Sequence, residues 1–126
     1  MVEKQVLAPF TLQQLLECCG GDWDFMADLA GTFYGDTANL LEEARQACQL
    51  GDAAALRRAA HSLKSNAASF GAELMRQMCK DLEEMGKAGD LSDASSRLEQ
   101  ISAEFEQVRS ALQEVIERRS LNPTTG

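Results

Sequence analysis

His61 is the single imidazole in this chain of 126 residues, and the residue types around it set what it can do. At about 3.6 residues per helical turn, the neighbouring apolar positions Leu56, Ala59, Ala60, Leu63, Ala67 and Phe70 share one face, and His61 falls about 150° from their mean. The ring therefore points to solvent or to a partner. A lone surface histidine is most often incidental, so its neighbours carry the case. Ser65 and Ala68 follow it on the same outward face, where a solvated helix would ordinarily carry Lys, Glu or Gln, and the surface just beyond the ring is low. Arg57 and Arg58 lie one turn before the ring and Lys64 one turn after it, a concentration of cations in a chain of net charge −8. An accessible nitrogen nucleophile, room for another active site to close over it, and cations able to hold phosphoryl oxygens are what phosphoryl transfer requires.

Other chemistries find less support in the residue types. The four cysteines, Cys18, Cys19, Cys48 and Cys79, form no C-x-x-C pair, and one histidine denies them the usual mixed zinc spacing. They read as reduced, small core residues, with the adjacent Cys18 and Cys19 including the thiol expected at the surface. Asp81, Glu83 and Glu84 make a carboxylate cluster only by count and read as a solvated helix face rather than ligands. A hydrolase or metalloenzyme is disfavoured accordingly, and no cofactor is expected. The net charge of −8 argues against nucleic acid or an anionic membrane as a partner. No stretch approaches the roughly 20 apolar residues of a membrane span and the start lacks the pattern of a signal peptide, so the expected location is cytoplasmic.

The elements that must position His61 follow from periodicity and cap chemistry. Helix formers dominate, and Pro9 and Pro123, the two prolines, lie near the ends. A short lid helix is predicted from Thr11 to Cys19, with Thr11 and Gln14 as a capping box. A second helix is predicted from Asp22 to Leu50 with Met26, Leu29, Phe33, Leu40, Ala44 and Ala47 inward and one inward position skipped near Asp36. The third, carrying His61, starts at the N-cap Asp52 and ends or bends at Gly71. The fourth offers Leu74 or Met75, then Met78, Cys79, Leu82 and Met85, before a break from Gly86 to Asp90. The fifth opens near Asp90 or Ser92 and turns Leu98, Ile101, Phe105, Val108, Leu112 and Val115 inward. Four long amphipathic helices with short loops predict an all-α, antiparallel up-and-down four-helix bundle with a short extra N-terminal helix. Residues 1–9 are expected to be a tail, 10–119 the domain, and 120–126 a flexible C-terminal tail.

Residues 51–72, GDAAALRRAAHSLKSNAASFGA, resemble the phosphorylation-site helix of the histidine-phosphotransfer (Hpt) family. The resemblance extends through residues 79–83, CKDLE, and more weakly over residues 10–116. His61, Leu63, Lys64 and the Gly71-Ala72 pair match the family pattern; Ser65 departs from it, since many members have glycine there. The resemblance implies that His61 accepts a phosphoryl group on Nε2 from a receiver-domain aspartyl phosphate and passes it to another response-regulator aspartate, with Lys64 stabilising the phosphohistidine. It further implies a monomeric carrier without kinase activity of its own, whose partners are receiver domains and a hybrid sensor histidine kinase. The Mg²⁺ would be supplied by the receiver. Arg57, Arg58, Ser65 and Ala68 would then lie on the docking surface.

Two other readings compete. The dimerisation domain of a sensor histidine kinase is also helical, but its motif has an acidic residue directly after the histidine and a proline five residues on; this chain has Ser62 and Asn66, and no glycine-rich nucleotide motif. A helical adaptor would explain the apolar stripes as partner-binding faces. It gives no account of the low, cationic surroundings of His61.

Overall fold

A computed structural model describes residues 6–121. Five helices follow in order: α1 (Pro9–Cys18), α2 (Trp23–Leu50), α3 (Ala53–Ser69), α4 (Glu73–Ala88) and α5 (Ala94–Arg118). The loops after α2, α3 and α4 are short enough that each helix returns antiparallel to the one before. Packing then runs α2 to α3, α3 to α4, α4 to α5 and back to α2, which closes a four-helix ring, and α1 lies against α2.

The caps explain most boundaries. Asp22 accepts from the backbone N–H groups of Asp24 and Phe25 (2.9 and 3.2 Å) and starts α2; Asp52 accepts from Ala55 (3.0 Å) and starts α3. Three boundaries depart from the sequence pattern. Helix α1 begins at Pro9, not at a Thr11 capping box: proline suits a first turn because its missing N–H would have no helical partner. Leu7, predicted to lie in a tail, is buried, and the Ala8 N–H donates to the Gly71 carbonyl (2.8 Å), which joins residues ahead of α1 to the α3–α4 turn. Gly86 does not end α4; the helix runs on to Ala88, with Gly89 as its left-handed cap. Asp90, one predicted start of α5, instead closes a turn by accepting from the N–H and hydroxyl of Ser92 (3.1 and 2.7 Å), and α5 opens after Asp93.

The inward faces form one core. Leu56, Ala59, Ala60, Leu63 and Ala67 of α3 meet Met75, Cys79 and Leu82 of α4 and Leu98, Ile101, Phe105, Val108 and Leu112 of α5. Phe33 stacks on Phe70 at 4.4 Å between ring centroids and meets Phe105 edge-on at 5.9 Å, tying three elements together. The inward position apparently skipped in α2 is filled by Thr37, fully buried and with no partner for its hydroxyl among the described residues. Leu29, Leu40, Met78, Met85 and Val115, predicted as core, are only partly buried at its margin. Cys19 and Cys79 are buried, whereas Cys48 is half-buried and Cys18 exposed; all four are free thiols. Burial pushes the Cys79 thiol up to about 12, which makes it inert.

Two glycines permit the close approaches on which the arrangement depends. Gly71 has φ +72°, and a Cβ there would stand 3.0 Å from the Thr11 Cβ and 3.1 Å from the Ala8 backbone. At Gly86 a Cβ would lie 2.9 Å from the Arg57 nitrogen and 3.0 Å from the Ala53 oxygen, so the α3 and α4 backbones are nearly in contact. Gly86→Ala tests that contact. Alanine gains roughly 0.8–1.0 kcal/mol of helix propensity, but the clash is with backbone and forces the helices apart at a cost of roughly 1–3 kcal/mol. Urea unfolding is expected to show a net loss of about 1 kcal/mol; a variant more stable than wild type would show that the helices separate freely.

Candidate functional site

His61 lies on the third turn of α3, and Lys64 follows one turn later on the same side. Both reach across the α3–α4 seam to one carboxylate on α4, that of Glu83. His61 Nδ1 is 2.8 Å from Glu83 Oε2, and Lys64 Nζ donates to Glu83 Oε1 at 2.7 Å. Burial grades sharply across the three: the Glu83 side chain is 14% exposed, Lys64 27% and His61 61%. The histidine therefore stands out of the seam with one ring edge anchored in it.

The electrostatics of Glu83 decide the state of the ring. The hydrogen bond from Lys64, followed by that from His61, holds the Glu83 carboxyl below its ordinary value despite opposition from burial. An ionised carboxylate only accepts, so Nδ1 carries the ring proton and donates it to Glu83. In the neutral imidazole Nε2 then bears the free lone pair, on the edge turned away from the seam. That is the requirement for a nitrogen nucleophile.

Around this pair, the surface has two different sides. Toward the C-terminus of α3, Ser65, Ala68 and Ser69 are exposed and small, with the Ser69 hydroxyl turned back onto the Ser65 carbonyl (3.1 Å). Toward its N-terminus, a groove between α3 and α4 is lined by Ala53, Arg57, Arg58, His61, Gly86 and Lys87, among others. Arg57 and Arg58 are exposed in that groove and do not touch the Glu83 carboxylate.

The predicted residues are thus partly brought together. His61 and Lys64 meet; Ser65 and Ala68 flank the ring without contacting it; Arg57 and Arg58 lie to the other side. Lys64 is engaged by Glu83 rather than projecting freely beside the imidazole. Glu83 itself overturns its reading as part of a solvated face: Asp81 and Glu84 are exposed, but Glu83 is sheltered in the seam. The signal was present in the spacing. The buried stripe of α4 is Met75, Cys79, Leu82 and Gly86, and Glu83 stands four residues from Cys79 on the edge of that stripe. Among the described residues no group of three or more His, Cys, Asp or Glu side chains is placed to hold a metal ion, and no helix is long and apolar enough to cross a membrane.

Comparison with known proteins agrees with this geometry. Among curated protein sequences none matches the chain. In a solved structure, the histidine-containing phosphotransfer protein B (HptB) from Pseudomonas aeruginosa PAO1 superposes with a TM-score of 0.84 at 34% identity, over 92% of this chain and 98% of that one. The profile of the Hpt domain matches residues 28–111, a span that holds His61, Lys64 and Glu83. The chain belongs to the Hpt domain family, whose members carry phosphoryl groups in two-component phosphorelays without being autonomous kinases.

Proposed function

We propose that this chain accepts a phosphoryl group on His61 Nε2 from the aspartyl phosphate of a receiver domain and passes it to the aspartate of another response regulator. The observation that carries the reading is the half-exposed imidazole whose Nδ1 is fixed by the sheltered Glu83. As the N–P bond forms at Nε2, the P–O bond to the receiver aspartate breaks and the carboxylate leaves. The ring keeps its Nδ1 proton and becomes cationic. Glu83, already aligned on that proton, stabilises the positive charge as it develops. Because the proton stays on the ring, phosphohistidine remains a good donor, and the reverse step regenerates neutral imidazole.

Lys64 acts in two ways in this scheme. It keeps Glu83 ionised, and its charge offsets the repulsion between that carboxylate and the arriving phosphoryl oxygens. Mg²⁺ is expected to be contributed by the receiver. The partners are receiver domains, a hybrid sensor kinase being one source of them. Four free thiols fit a reducing compartment such as the cytoplasm.

His61→Gln tests the acceptor directly. Incubation with a phosphorylated receiver is expected to leave this variant unlabelled with its melting curve nearly unchanged, since the replaced side chain is 61% exposed. Labelled His61→Gln protein would sink the proposal, as would labelling of the wild-type chain by ATP alone.

Glu83→Ala addresses the positioning carboxylate. Transfer is expected to slow about tenfold, the loss of one charge-assisted hydrogen bond that strengthens as the ring becomes cationic. The pH dependence of stability separates this from a packing effect. A carboxyl held below its ordinary value of 4.5 stabilises the fold at higher pH, and that contribution is lost as pH falls through the folded-state value. The stability gap between wild type and Glu83→Ala is therefore expected to narrow as pH drops below 4.5; a gap independent of pH would show that Glu83 acts through packing alone.

The low surface beyond the ring supplies the last test. Ser65 is exposed one turn after His61, so Ser65→Trp would stand where a receiver must close over Nε2. Loss of transfer is expected with the fold intact, while Ser65→Gly transfers normally. Full transfer by a well-folded Ser65→Trp protein would place the docking surface elsewhere.

A further inference from the structure

Most described cations already have a partner. Arg45, Arg76, Arg97, Arg118 and Arg119 are held in ion pairs, Lys64 is held by Glu83, and Arg109 lies over the Tyr34 ring. Among the described residues Arg57, Arg58, Lys80 and Lys87 have no such contact, and all of these except Lys80 line the groove that runs away from His61 between α3 and α4. In a chain with 20 acidic and 12 basic side chains, carboxylates to pair with cations are plentiful. Leaving unpaired cations together on this one groove makes it a positive strip on an acidic molecule.

The shape of the groove says what it can take. Arg57 and Arg58 rise from α3 and Lys87 from α4, so positive charge stands on both walls, and Ala53, Ala54, Gly86 and Gly89 keep the space between them low. Glu83, at the His61 end, is already matched by Lys64. The α4 C-terminus, which would otherwise add negative potential, has the Gly86 and Met85 carbonyls bound by the N–H groups of Gly89 and Asp90. From His61 back to Ala53 the groove follows eight residues of helix, about 12 Å at 1.5 Å per residue. Apart from its cations and His61, the polar side chains lining it are Glu83, already paired, and the half-buried Ser62, so it is an open charged trough rather than an enclosure for a small anion. An extended surface bearing several carboxylates at once fits both walls.

Resting on the carrier reading above, we infer that this groove docks an acidic strip of the receiver surface, lying one to two helical turns from the receiver's phosphoryl-bearing aspartate. It orients the receiver over His61 and discriminates against receivers that are neutral or basic at that place. The low side, at Ser65 and Ala68, admits the active site; the charged side sets which receiver arrives and in what orientation.

The test is transfer kinetics from the phosphorylated receiver domain that labels the wild-type chain fastest. In the variant Arg57→Gln, Arg58→Gln, Lys87→Gln, the KM for that receiver is expected to rise about tenfold at low salt, with kcat retained at saturation and most of the salt dependence gone. Lys80→Gln, which removes the unpaired cation outside the groove, is expected to behave as wild type. The charge-conserving variant Arg57→Lys, Arg58→Lys, Lys87→Arg is expected to keep most of the wild-type KM, which separates charge from any effect on folding. An unchanged KM in the triple glutamine variant, an equal rise in Lys80→Gln, or a fall in kcat alone would overturn the inference. Failure of the wild-type chain to accept phosphate from any receiver would instead overturn the carrier reading, and the groove inference with it.

Discussion

The site depends on how closely α3 and α4 approach at Gly86. With no side chain at that position the two backbones come nearly into contact beside Arg57; one turn away from that point the facing edges carry His61 on α3 and Glu83 on α4, and Lys64 follows one turn further along α3. A glutamate side chain is short. To place one oxygen 2.8 Å from His61 Nδ1 and the other 2.7 Å from Lys64 Nζ, it must start from a helix held near its neighbour. A bulkier residue at the crossing would widen the seam, let water in beside the carboxylate, and weaken its hold on the ring. Backbone packing and imidazole chemistry are in this sense one constraint, and the antiparallel turn through Phe70, Gly71 and Ala72 sets its register.

How much of this could be read from residue order varies with the range of the interaction. The helices of the bundle and the outward direction of His61 were legible because both follow from periodicity within a single helix. The N-cap Asp52 and the start of α2 at Asp22 were legible for the same reason, since a capping side chain bonds to backbone two or three residues on. The Thr11 capping box and Gly86 were misread because each is a local signal overridden from outside. Gly86 looks like a helix terminus but serves a helix crossing, and residues ahead of Thr11 are held by the Gly71 carbonyl, far off in sequence. Thr37 fell out of the apolar stripe because its type is polar although its place is buried. Glu83 was missed for the same reason at greater cost: two of its partners lie 19 and 22 residues away, and only the packing of α3 on α4 reveals that a carboxylate at the stripe's edge turns inward rather than out.

The charge balance of the His61, Lys64 and Glu83 group explains why a lysine shares the carboxylate that orients the histidine. Sheltering an ionised carboxylate is costly unless a cation and hydrogen bonds compensate it. A histidine alone compensates only weakly while neutral, so without Lys64 the Glu83 carboxyl loses the largest influence that holds it down against burial; a protonated Glu83 would donate to Nδ1 and leave the ring proton on Nε2, where it blocks attack. A second difficulty arises on reaction. In the proposed transfer a phosphoryl group at Nε2 would bring negative oxygens near Glu83, and at a separation of about 7 Å each unit of like charge costs roughly 2 kcal/mol at an effective dielectric constant near 20. The Lys64 ammonium, held on the other oxygen of the same carboxylate, would cancel much of that repulsion and still leave Nε2 uncovered. An orienting anion next to an anionic substrate is therefore tolerable only as part of a neutral pair, and the pair must sit below the ring rather than beside its reactive edge. The burial order from Glu83 through Lys64 to His61 follows from that requirement.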